Sequence, residues 1–76
     1  MARPWLTERE IDVLRAIHRG DVTPIHSRHR WGYLRRNVGS VTAIVERLYE
    51  KEAIEITTKA GGTPVITISL EAEPLV

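Results

Sequence analysis

Residues 26–37, HSRHRWGYLRRN, gather two histidines, a serine, two aromatics and four arginines with no acidic side chain among them. Three chemistries are open to such a set. His26 and His29 stand three apart and, with His18, suggest metal ligation, which normally also draws on thiolates or carboxylates. The chain has no cysteine, no carboxylate lies nearby in sequence, and neither a metal nor any other cofactor is expected. Ser27 has imidazole neighbours, but nucleophilic catalysis also requires an acid to orient the base and donors to hold an oxyanion. Neither is legible, so the chain is not read as an enzyme. The third chemistry is anion binding by arginine. Formal charge is +4 over residues 26–37, against 0 for residues 1–25, −1 for 38–60 and −2 for 61–76. The positive charge is therefore a patch, and a patch points to one polyanion-facing surface.

The elements that must carry this patch fit in 76 residues, enough for one domain near the lower limit for a core without disulfides or metal. A large active-site cleft is not expected. No stretch is long and apolar enough to span a bilayer, and MARPWLTERE lacks the apolar run of a signal peptide. A soluble cytoplasmic protein with no membrane partner is the expectation.

Leu6-Thr7-Glu8-Arg9-Glu10-Ile11 has the reciprocal signature of a helix start, Thr7 capping Glu10 and Glu10 reaching back to Thr7. This helix is expected to run to about Arg19 and to stop at Gly20. Thr23-Pro24 or Ser27 could open a short second helix within roughly residues 24–35. Asn37 is an N-cap candidate for a third helix to about Lys51, with Val41, Ile44, Val45 and Leu48 on one face. The period then changes. Ile54, Ile56 and Thr58 alternate with Glu55, Thr57 and Lys59, and Val65 to Leu70 is rich in β-branched residues, so a β-hairpin turning at Ala60-Gly61-Gly62 is expected. The domain spans residues 6–70, and residues 71–76 form a short acidic tail without an element of its own.

Helix, short helix, helix and hairpin, with LTEREIDVLRAI at the start and VTAIVERLYEKEAIEI in the middle, resemble a winged helix-turn-helix domain of the MarR-type and LexA-type bacterial repressors. Phage and archaeal regulators share that domain. Val41…Val45-Glu46-Arg47-Leu48…Glu50-Lys51…Ile54 is similar to the family's recognition helix and its passage into the first wing strand. The resemblance implies an α+β fold of three helices followed by a two-stranded β-hairpin wing. It also implies sequence-specific binding of double-stranded DNA by a small transcriptional regulator. Two positions depart from the family: Glu52 stands where glycine is usual, and the second helix is crowded with arginine, histidine and tryptophan.

A recognition helix enters the major groove with short or polar side chains towards the bases. With Val41, Val45 and Leu48 inward, Ser40, Thr42, Ala43 and Glu46 become the base-contact candidates, Glu46 as an acceptor for a cytosine amino group. Arg28, Arg30, Arg35, Arg36, Arg47 and Lys59 are the phosphate-contact candidates. Trp31 and Trp5 are read as packing rather than as stacking platforms, and Tyr49 is either exposed or a partner contact. The alternative function is a protein-docking module, an adaptor or inhibitor, whose basic patch meets an acidic protein surface. A homodimer and a protein partner both stay open.

Overall fold

A computed structural model describes residues 5–59 and 61–76. The chain folds as α1 (Glu8–Arg19), β1 (Val22–Ser27), β2 (Arg30–Arg35), β3 (Gly39–Ser40), α2 (Thr42–Glu50), β4 (Ile54–Thr58), β5 (Pro64–Ile68) and a 3₁₀ turn over Glu73–Leu75. The α1 ends are built as its sequence dictates. Thr7 N–H donates to Glu10 Oε1 at 2.8 Å, and Glu10 N–H donates to Thr7 Oγ1 at 3.2 Å. At the other end Gly20 takes φ +84°, which lets Gly20 and Asp21 donate back to Ile17 and Ala16.

The expected second helix is absent. Residues 22–35 instead form an antiparallel hairpin, β1 on β2, with β3 on the far edge of β2. The three-helix winged helix-turn-helix arrangement is therefore overturned: among the described residues there are two α-helices and five strands in two small sheets, and no helix-turn-helix. The α+β class and the C-terminal hairpin are present. The reason lies in pairing. As strands, residues 22–35 put Val22, Pro24 and His26 on the same face as their partners Arg35, Tyr33 and Trp31, and Tyr33 is then buried in the core. A helix opened by Thr23-Pro24 would have to accommodate Gly32 in its interior, at about 1 kcal/mol relative to alanine, and would leave Tyr33 without this pairing.

α2 begins at Thr42, five residues after the expected cap. Asn37 is not a cap but sits at φ +64° in the turn between β2 and β3. Val41, Val45 and Leu48 are buried with Leu6, Val13, Leu14, Ala53 and Ile54 in a single core. Of the aromatics, it is Tyr33 that enters this core, while Trp31 is half-buried on the hairpin and Trp5 is exposed. Residues 71–76 do acquire structure: Ala72 is fully buried, and Arg15 Nε donates to Leu75 O at 3.0 Å.

α2 ends on the motif that closed α1, with Glu52 in the glycine place. Glu52 N–H donates to Tyr49 O and Ala53 N–H to Leu48 O, which requires Glu52 at φ +62°. A side chain in that conformation costs about 1–2 kcal/mol, of which glycine would return roughly half through its greater unfolded-chain entropy. Glu52→Gly is accordingly expected to raise stability by up to about 1 kcal/mol in denaturant unfolding.

Glu10 also ties the helices together. Its Oε1 accepts from Lys51 Nζ at 2.7 Å, and its side chain is only 4% exposed. Burial pushes this carboxyl up, but the hydrogen bonds from Lys51 and Thr7 outweigh it and hold the group below its ordinary value of 4.5. A depressed carboxyl stabilises the fold above its unfolded value, and that stability is lost as pH falls through the lower folded value. Melting temperature should therefore fall as pH drops below the ordinary carboxyl value of 4.5, and Glu10→Gln should flatten the slope while lowering stability at neutral pH.

Candidate nucleic-acid interface

The basic stretch is the β1–β2 hairpin itself. Every residue from Ile25 to Arg30 is exposed, so the distal half of the hairpin is an arm that contributes nothing to the core. Arg28 and His29 form its two-residue turn, with φ +46° and +70°. Positive φ at both central positions marks a type I′ turn, whose usual residues are asparagine and glycine because others meet a steric penalty there. Behind the tip His26 and Trp31 face each other across the strands, ring centroids 4.9 Å apart and tilted by 42°.

The arm is anchored to α2 through β2. Tyr33 N–H donates to Thr42 Oγ1 at 2.9 Å, and Val41 N–H donates to Tyr33 O at 2.9 Å. Gly32 makes this approach possible, since a Cβ there would stand 3.1 Å from Thr42 Oγ1. Over Gly32 lies a shallow trough of about 330 Å³, bordered by Ile25, Leu34, Ser27, Arg30 and Ser40.

The expected phosphate contacts separate into groups. Arg28 and Arg30 are exposed on the arm, and Arg36 is exposed at its base; Arg28 and Arg36 make no ion pair among the described residues. Arg35 is committed elsewhere, bidentate to Asp12 of α1 at 2.6 and 3.3 Å with its side chain only 15% exposed. That bond holds the Asp12 carboxyl below its usual range. Arg47 is exposed on α2 and shares a hollow with Arg9 of α1, a residue that sequence reading passed over. Lys59 is exposed at the end of β4, on the other hairpin; Ala60, expected at that tip, lies outside the described residues.

Among the expected base contacts, Ser40 and Ala43 are exposed. The Thr42 hydroxyl is taken up by Tyr33 N–H and lies 3.3 Å from Ser40 Oγ. Glu46 is exposed 3.8 Å from Arg30 Nη2, so the carboxylate that would repel DNA has a counter-charge supplied by the arm. This pair brings the α2 face and the arm onto one surface. The sequence signal of a two-residue hairpin turn, asparagine or glycine at its centre, is absent at Arg28-His29, and that hid the arm.

Among the described residues no group of three or more His, Cys, Asp or Glu is placed to hold a metal ion, and no helix is long and apolar enough to cross a membrane. Compared with known protein families, with curated proteins and with solved structures, the chain matches none.

The turn supports a stability test. Relieving two side chains of the left-handed region should outweigh the entropy of one added glycine. Arg28→Asn combined with His29→Gly is expected to raise the unfolding free energy by about 1–2 kcal/mol, read by thermal and urea unfolding.

Proposed function

We propose that the protein is a double-stranded DNA-binding protein, acting as a small sequence-specific transcriptional regulator of bacterial, phage or archaeal type, and that it grips DNA with the basic β1–β2 arm. The observation that carries this reading is the arm's tip. Two basic side chains occupy turn positions that favour asparagine and glycine, on an arm that the core does not use. Strain kept at an exposed, charged tip argues for a role outside folding.

A two-stranded β-ribbon fits the major groove of B-DNA, as an α-helix does. In this arrangement Arg28 and Arg30 meet phosphates, with Arg9 and Arg47 reaching the backbone beside α2. Ser40 and Ala43 are the positions small enough to approach base edges next to the ribbon. Glu46, neutralised by Arg30, either positions that arginine or accepts from a cytosine amino group. Arg35 and Thr42 serve the architecture, because their polar groups are already engaged. Binding of this kind involves no catalysis, and the cytoplasmic setting expected from the sequence belongs to the same proposal.

Fluorescence anisotropy on random-sequence duplexes across a salt series tests it. Arg28→Gln with Arg30→Gln should weaken all sequences similarly and reduce the magnitude of the slope of log K against log salt by about 0.9 per lost contact, close to 2 in total. The stabilised turn variant, Arg28→Asn with His29→Gly, should lose affinity while gaining stability. Arg35→Gln should do the reverse, lowering the melting temperature with the salt slope unchanged. Absence of duplex binding, or an unaltered slope in the double arginine variant, overturns the reading in favour of a protein-docking module.

A further inference from the structure

The hairpin has a second face, opposite the one that carries Tyr33 into the core. Arg36 N–H donates to Asp21 O at 2.8 Å, so residues 21, 23 and 25 share one face with 36, 34 and 32. Thr42 of α2 approaches this face beside Gly32, and beyond it Thr23, Ile25, Leu34 and Arg36 are exposed. Ile25 and Leu34 are 39% and 40% exposed, and with Thr23 they line a hollow of about 760 Å³. On its rim stands Val38, 65% exposed, held out by a tight turn in which Val38 N–H donates to Arg35 O at 3.1 Å between Asn37 at φ +64° and Gly39 at φ +112°. Exposing an aliphatic side chain at the apex of an otherwise polar turn gains nothing for the isolated chain.

We propose that the partner of this face is a second copy of the chain, joined about a two-fold axis, with Val38 of each copy seated in the hollow between Ile25 and Leu34 of the other. The patch is self-complementary, as a two-fold interface must be. It carries both the knob and the hollow. It also carries both signs of charge: Asp21 and Arg36 border the hollow, and their side chains make no ion pair with each other. Asp21 accepts from Arg19 through Oδ2, which leaves Oδ1 for a second cation. Each Arg36 therefore meets the Asp21 of the other copy. Addition at the strand edge is disfavoured, because the alternation that pairs residues 21, 23 and 25 with β2 turns residue 24 outward, and Pro24 has no N–H to offer a new strand. The face is the open surface. A dimer of this form brings two basic arms to one duplex, but its existence rests on the face alone and not on DNA binding.

Sedimentation velocity of the full chain without DNA, from a few to several hundred micromolar, tests the proposal. Mass should rise from the 8.6 kDa of one chain towards twice that value. Val38→Asp should weaken association at least tenfold with an unchanged circular-dichroism melt, since Val38 is outside the core. Asp21→Arg and Arg36→Glu should each leave monomers, and an equimolar mixture of the two should restore the dimer, because every charged contact across the mixed interface is then attractive. A chain that stays at 8.6 kDa throughout, a dimer indifferent to Val38→Asp, or a mixture that fails to reassociate overturns it. Because no DNA is present, such a failure leaves the DNA-binding reading standing.

Discussion

The joint between β2 and the start of α2 is the constraint on which the rest depends. One residue, Tyr33, makes it three times over: its ring is buried in the core, its N–H meets the Thr42 hydroxyl, and its carbonyl accepts from Val41. The threonine side chain acts as a strand would, accepting a bond that otherwise would need a backbone neighbour beyond the end of β3. Thr42 is also the first residue of α2, so the same contact sets where the helix begins. Without this joint the three-stranded sheet would have little to hold it, because β1 and the distal half of β2 contribute few side chains to the core.

Around that joint the chain separates folding from exposure. The core is small and aliphatic, and it is drawn from α1, α2, the first strand of the C-terminal hairpin and Tyr33. Two charged contacts between distant elements lock it: Glu10 with Lys51 closes the two helices, and Arg35 with Asp12 pins the hairpin base to α1. The first is the more shielded, since its carboxylate is almost wholly removed from water, whereas Asp12 remains largely exposed and solvent screens its attraction. The distal hairpin takes no part in this, which leaves its side chains unconstrained by packing. At its tip the residues are unfavourable for the turn they make, and charge has displaced the residues that conformation prefers.

Glu52 shows a related trade at the end of α2. The helix must stop there because Leu48 and Ala53 are both fully buried, and the reversal that places them together forces the residue before Ala53 into the left-handed region. Tertiary packing there is worth more than the roughly 1–2 kcal/mol that a side chain costs in that conformation.

The parts legible in the sequence were those whose determinants lie within a few residues of one another. Thr7, Glu10 and Gly20 define both ends of α1 through bonds spanning three to five residues. The apolar spacing of Val41, Val45 and Leu48 sets the inward face of α2, and alternation from Ile54 with the Gly61-Gly62 turn marks the C-terminal hairpin. The first hairpin was not legible, because its turn carries Arg28 and His29 where a local signal needs asparagine or glycine, and Thr23-Pro24 has the form of a helix start. Burial of Tyr33 against residues eight and more positions away in sequence settled it. The role of the arginines was hidden for the same reason. Composition marked residues 26–37 as a basic patch, but only the fold brings Asp12 to Arg35 across 23 positions and Glu46 towards Arg30 across 16, leaving Arg28 and Arg36 for a partner. Local propensity acts along the chain, whereas pairing of charges and strands is decided by which distant segments the core draws together.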